Sequence, residues 1–141
     1  MSASQIVKLF VGTGIAFFAI DLVWLGLIAP AFYQRHLGHL IAEQVRWVPA
    51  VLFYTIYIAG LLTFVIVPAL QAGSLARAVL FGALLGFFAY ATFDLTCAAL
   101  FKDFPAIVVV VDLIWGSVLS GSVCAAGYGI GRWLGIGLVP S

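Results

Sequence analysis

An all-α integral membrane protein, a four-helix transmembrane bundle, is the fold this sequence predicts, and three observations predict it. Hydrophobic residues make up 65% of the 141 residues and charged residues 8%, where soluble domains carry roughly 45–50% and about 25%. So little charge cannot clothe a surface in contact with water, which excludes an ordinary cytosolic enzyme and a disordered tail. The net charge of +1 lacks the basic excess of a nucleic-acid binder, so none is expected as a partner. Finally, the apolar residues fall into four runs, each near the ~20 residues that a spanning helix needs. The runs lack the alternation of barrel strands, and an open strand would leave its backbone unpaired in lipid, so they are helices.

The first run covers residues 6–29 and stops at Pro30. It is too long for a cleaved signal peptide, carries Asp21, and is followed by no small-x-small cleavage site. In residues 31–46, Tyr33, Arg35, His36, His39, Glu43 and Arg46 interleave with Leu37, Leu40, Ile41 and Val45. Spacings of three and four put the apolar members on one stripe, which predicts a short amphipathic helix lying in the interface. The second span covers 48–70, with Pro49 in its first turn, where a missing N–H costs nothing. Tight turns at 71–74 and 102–104 then set off a third span over 75–101 and a fourth over 105–130. All four belong to a single transmembrane domain, 1–141.

Orientation stays open. Lys8, Arg77 and Arg132 fall on the side of the termini, and Arg35, Arg46 and Lys102 on the side of the interfacial helix. The positive-inside rule counts only such residues, and the two sides tie. Cys97 and Cys124 sit at depths roughly 20 Å apart at 1.5 Å per residue. No disulfide bridges that gap, so both are expected to be small packing residues.

The chain has five acidic residues, and Asp21, Asp94 and Asp112 lie inside the predicted spans. Each costs about 2.5–3.5 kcal/mol near a helix centre on the insertion scale. Counted from the helix ends, all three fall roughly 10–12 Å below the same surface. Tyr54 falls at a similar level, and Tyr57 lies about one turn deeper. On the third span Gly82, Gly86, Tyr90 and Asp94 recur every four residues, as do Asp112, Gly116, Ser120 and Cys124 on the fourth. Small residues at that spacing let helices approach closely, so both rows are expected to face partner helices. The Asp-Leu-Val-Trp of 21–24 echoes the Asp-Leu-Ile-Trp of 112–115, placing Trp24 and Trp115 on the faces of their acids.

Asp21, Trp24, Tyr54, Tyr57, Tyr90, Asp94, Asp112 and Trp115 therefore form the candidate ligand-binding layer. The three acids are also the candidates if the layer is catalytic. Three ionised carboxylates cannot share a low-dielectric space, so protons or a cation must balance them. His36 and His39, in a His-x-x-His spacing, would present two imidazoles on one helical face. No acid-rich helix motif accompanies them, and neither a metal nor another cofactor is expected. Tyr33, Trp47, Tyr128 and Trp133 read as interface aromatics.

The stretch from Asp21 through Trp24 to Pro30, with Tyr33, the Tyr-Ala-Thr-Phe-Asp-Leu-Thr of 90–96 and the Val-Asp-Leu-Ile-Trp-Gly of 111–116, resembles the bacterial membrane proteins catalogued as domain of unknown function 2177. The resemblance covers nearly the whole chain and implies a multi-pass protein of the bacterial inner membrane with four helices. It implies no activity and assigns no residue a role.

Three function classes follow from the residues. The leading one is proton-linked binding or transport of an amphipathic, lipid-like or cationic small molecule at the Asp/Tyr layer. In the second, the acids perform acid/base chemistry on a lipid or isoprenoid, one carboxyl protonated beside an ionised one. In the third, the protein is an accessory subunit of a larger complex and the acids are internal glue. A second row on the last span, Gly127 and Gly131, is expected to face a second protomer or a partner. Asp103, beside Lys102 in a turn, is expected to tolerate replacement.

Overall fold

The computed structural model describes residues 1–137. It contains α1 (Ala3–Leu27), α2 (Ala29–Leu37), α3 (Trp47–Leu61), α4 (Val67–Ala72), α5 (Leu75–Leu100) and α6 (Ala106–Trp133), with a π-helical turn at Leu62–Ile66. No strand occurs among the described residues. α1, the continuous Trp47–Ala72 segment, α5 and α6 are each long and apolar enough to cross a membrane. The fold is the four-helix transmembrane bundle that the composition predicts.

Local chemistry sets the ends. Ser2 Oγ accepts from the Gln5 backbone N–H at 3.2 Å, and Gln5 Oε1 accepts from the Ser2 N–H at 3.0 Å. This reciprocal cap starts α1 three residues before the apolar run. Gln5 also donates to the Leu134 carbonyl at 3.4 Å, tying the start of α1 to the end of α6. The π turn in the second span precedes Pro68. That ring removes a donor and crowds the preceding turn, and a wider turn accommodates it. The Val67 N–H accordingly reaches back five residues to the Leu62 carbonyl. Gly73, at φ 64, ends the span in the left-handed conformation that favours glycine.

The expected interfacial helix over 31–46 is corrected: α2 begins at Ala29, with Pro30 in its first turn, and stops at Leu37. Gly38 follows, and glycine is a poor helix former with no side chain to pack. The chain then turns on the Leu37 carbonyl, which accepts from Leu40 at 2.8 Å and Ile41 at 3.1 Å. The helix ends between His36 and His39, so the two imidazoles do not share a helical face. The His36 ring instead packs on Phe32, with centroids 4.8 Å apart.

α6 is the axis of the bundle, and its glycines explain why. The α5 row of Gly82, Gly86, Tyr90 and Asp94 runs antiparallel to the α6 row of Cys124, Ser120, Gly116 and Asp112. Each step of four up one row meets a step of four down the other. A Cβ on Gly82 would lie 2.8 Å from Cys124 Cβ, and one on Gly86 would run into the Gly116 carbonyl. Gly116 in turn lies under the Tyr90 ring. The second α6 row does not face outward as expected. Gly127 packs on Ile66 and Thr13, and Gly131 on Leu70, so both are buried against the other spans. Gly127 and Gly131 therefore leave no free small-residue face for a second protomer.

Asp103 has φ 57, which corrects its reading as a freely replaceable turn residue. Aspartate tolerates the left-handed region, whereas alanine pays roughly 1–2 kcal/mol there. Asp103→Ala should lower stability by about 1 kcal/mol, and Asp103→Gly should match or exceed the wild type. Thermal melts in detergent check the pair; equal melting of both variants would contradict the backbone argument.

Candidate functional site

The three aspartates come from three helices and are all buried, Asp94 completely so. Their placement follows from the rows just described, which turn Asp94 of α5 and Asp112 of α6 toward each other. The two carboxyl groups lie beside each other on the wall of one cavity. Among the described residues neither oxygen of Asp94 meets a donor, and its neighbour Asp112 is another acceptor. Two like charges 4 Å apart repel by about 4 kcal/mol at an effective dielectric of 20. The pair therefore needs a shared proton or a cation.

Asp112 has one donor that the sequence did not reveal. The Tyr33 hydroxyl of α2 hydrogen-bonds Asp112 Oδ1. This corrects the reading of Tyr33 as an interface aromatic. Ala29, Tyr33 and Leu37 recur every four residues; Ala29 is the buried residue of α2, and Leu37 lines a cavity with the acids. That spacing was the available signal, and the polar residues around it masked it. Burial, with the Asp112 bond behind it, pushes the Tyr33 phenol up from its ordinary value, so it remains a donor through neutral and alkaline pH.

Asp21 of α1 is partnered separately, accepting from the Tyr54 hydroxyl of α3 at 3.2 Å. Tyr57, one turn on, faces Ser120 of α6 with hydroxyl oxygens 2.5 Å apart. Ser120 was read only as a member of a small-residue row. Tyr90, one turn before Asp94 on α5, packs its ring on Gly116 of α6. Trp24 and Trp115 stack face to face, centroids 4.5 Å apart and planes 10° from parallel. Tyr33 meets Trp24 edge-on at 6.4 Å. The candidate layer thus divides into an Asp21–Tyr54 pair, a Tyr57–Ser120 pair and an Asp94–Asp112–Tyr33 triad.

Tyr54 and Tyr90 each line an apolar cavity of their own, and the acid pair of the triad lines a third. This space, of about 390 Å³, is lined by Asp94 and Asp112 together with the apolar side chains of Leu37, Leu40, Ile41, Phe93, Phe101 and Phe104. Cys97 also lines it, while Cys124 is packed against Gly82. No Lys or Arg lines the cavity. Among the described residues no group of three His, Cys, Asp or Glu side chains is placed to hold a metal ion.

A family model described as "Predicted membrane protein (DUF2177)" matches residues 6–129. No curated protein and no solved structure matches the chain.

Proposed function

Since the chain belongs to the DUF2177 family of predicted membrane proteins, whose description leaves the activity open, we propose that it is a bacterial inner-membrane protein that binds, and by extension moves, a cationic amphipathic small molecule at Asp94 and Asp112. One observation carries this reading. A fully buried carboxyl group with no donor on either oxygen adjoins a second carboxyl on the wall of a cavity. An acid pair used only as internal glue would be engaged by hydroxyl or indole donors, as one oxygen each of Asp21 and Asp112 is by a tyrosine hydroxyl. The cavity supplies the rest of the complement. Phe93, Phe101 and Phe104 offer aromatic faces to a cation, and Leu37, Leu40 and Ile41 suit an apolar body. A proton competes with the cation for the acids, so binding weakens as pH falls.

Cys97 gives a direct readout, since it lines the same cavity. With the protein in nanodiscs, benzyltrimethylammonium should slow alkylation of Cys97 by N-ethylmaleimide, followed by mass spectrometry of its peptide. The double substitution Asp94→Asn with Asp112→Asn should abolish that protection. Unchanged alkylation of the wild type, or protection that survives the double substitution, would refute the reading.

A further inference from the structure

We propose that Tyr33 is the positioning residue of this site: by donating to Asp112 it assigns the single negative charge of the acid pair to Asp112 and leaves the shared proton on Asp94, so that the cavity selects a singly charged organic cation over a doubly charged one. This rests on the reading of Asp94 and Asp112 as a cation site, and adds the charge of the ligand and the residue that sets it. The two acids are not equivalent. Asp112 accepts from Tyr33, whereas neither oxygen of Asp94 has a donor. A hydrogen bond from a neutral donor favours the charged form of the acid that accepts it. The bare acid is then the one that keeps the proton and directs it to its ionised neighbour.

The groups that face the pair support the count of one charge. α2 contributes Tyr33, α5 contributes Asp94 and Cys97, and α6 contributes Asp112. From α1 and α3, Asp21 and Tyr54 bond each other, and Tyr90 of α5, one turn before Asp94, packs on Gly116. No Lys or Arg of any element lines the cavity to cancel the charge. A ligand with one positive charge neutralises the site with the Asp94 proton in place. A doubly charged ligand would have to expel that proton as well.

Tyr33 also explains why α2 lies over the site. The same helix brings Leu37 to the cavity wall, and Leu40 and Ile41 follow from the turn anchored on the Leu37 carbonyl.

Binding of tritiated benzyltrimethylammonium to the protein in phosphatidylcholine nanodiscs, measured across the acid-to-alkaline range, tests the assignment. Asp112→Asn should weaken binding by about a hundredfold, and Asp94→Asn by no more than about tenfold. Tyr33→Phe should weaken it roughly tenfold at neutral pH and move the pH of half-maximal binding up by about one unit. The same benzene scaffold carrying two trimethylammonium groups should compete poorly against the wild type. Equal losses in the two single Asn variants would overturn the assignment, as would a Tyr33→Phe protein weakened by one factor at every pH, which marks a merely structural role. Tighter competition by the doubly charged compound would overturn it even if Tyr33→Phe fails to fold. A wild type that binds no cation would bring down the underlying reading, and this one with it.

Discussion

Gly86→Ala should destabilise the bundle by at least about 3 kcal/mol, the upper end of overpacking costs. The added methyl would run into the Gly116 carbonyl and come within 2.6 Å of Ser120 Oγ. A backbone oxygen cannot rotate away, so relief requires α5 and α6 to separate along their whole shared row. That movement would also pull Asp94 from Asp112 and disturb the 2.5 Å contact between Ser120 and Tyr57. Gly129 makes the control, because a Cβ there meets nothing within 4 Å. Gly129→Ala should leave stability level or raise it, since alanine is the better helix former. Thermal unfolding in a mild detergent, followed by circular dichroism, compares the two. A Gly86→Ala protein that melts with Gly129→Ala would show that the rows do not interlock as described.

The second large effect runs the other way. In the unfolded chain Asp94 is ionised at neutral pH, whereas in the bundle two buried carboxyl groups side by side, with no cation between them, need a shared proton. Keeping a carboxyl protonated costs about 1.4 kcal/mol for each pH unit above roughly 3.9, or about 4 kcal/mol at pH 7. Asparagine has the same shape, carries its own N–H donors toward Asp112, and has no proton to retain. Asp94→Asn should therefore be more stable than the wild type, by up to about 4 kcal/mol at pH 7. The sign with pH follows from proton counting. The folded chain holds more protons here than the unfolded one, so wild-type stability falls as pH rises, and the advantage of the variant grows. Near pH 4 the two proteins should converge. An Asp94→Asn protein that melts at or below the wild type at mildly alkaline pH would mean that the carboxylate is engaged by a counter-charge instead. Asp94→Asn is thus expected to improve stability while weakening the proposed binding, a stability–function trade-off.

Much of this site was written in the spacing. Gly82, Gly86, Tyr90 and Asp94, and Asp112, Gly116, Ser120 and Cys124, each repeat at four residues, which fixes one face per helix whatever surrounds it. Their expected depth comes from counting residues from the helix ends, because a helix rises 1.5 Å per residue. Spacing did not say which helix each row meets. Gly127 and Gly131 look on paper like the other rows, yet they pack on Ile66 and Leu70 inside the bundle. A small residue permits close approach without specifying the partner. Tyr33 was misplaced for a related reason. Among Gln34, Arg35 and His36 it reads as part of a wet segment, and only the turn at Ile28 and Pro30, which folds α2 back over the bundle, brings its hydroxyl to Asp112.

The sequence by itself determined the class, the four spans and the inward faces of the helix rows. These depend on composition, on the length needed to cross lipid and on helical periodicity, which are local quantities. The tertiary structure alone decided the division of labour among the acids: Asp21 takes Tyr54, Asp112 takes Tyr33, and Asp94 is left with only a second carboxyl. That division depends on which atoms of different helices lie within about 3 Å of one another, and hydrogen bonding at that range has no periodicity for a sequence to display.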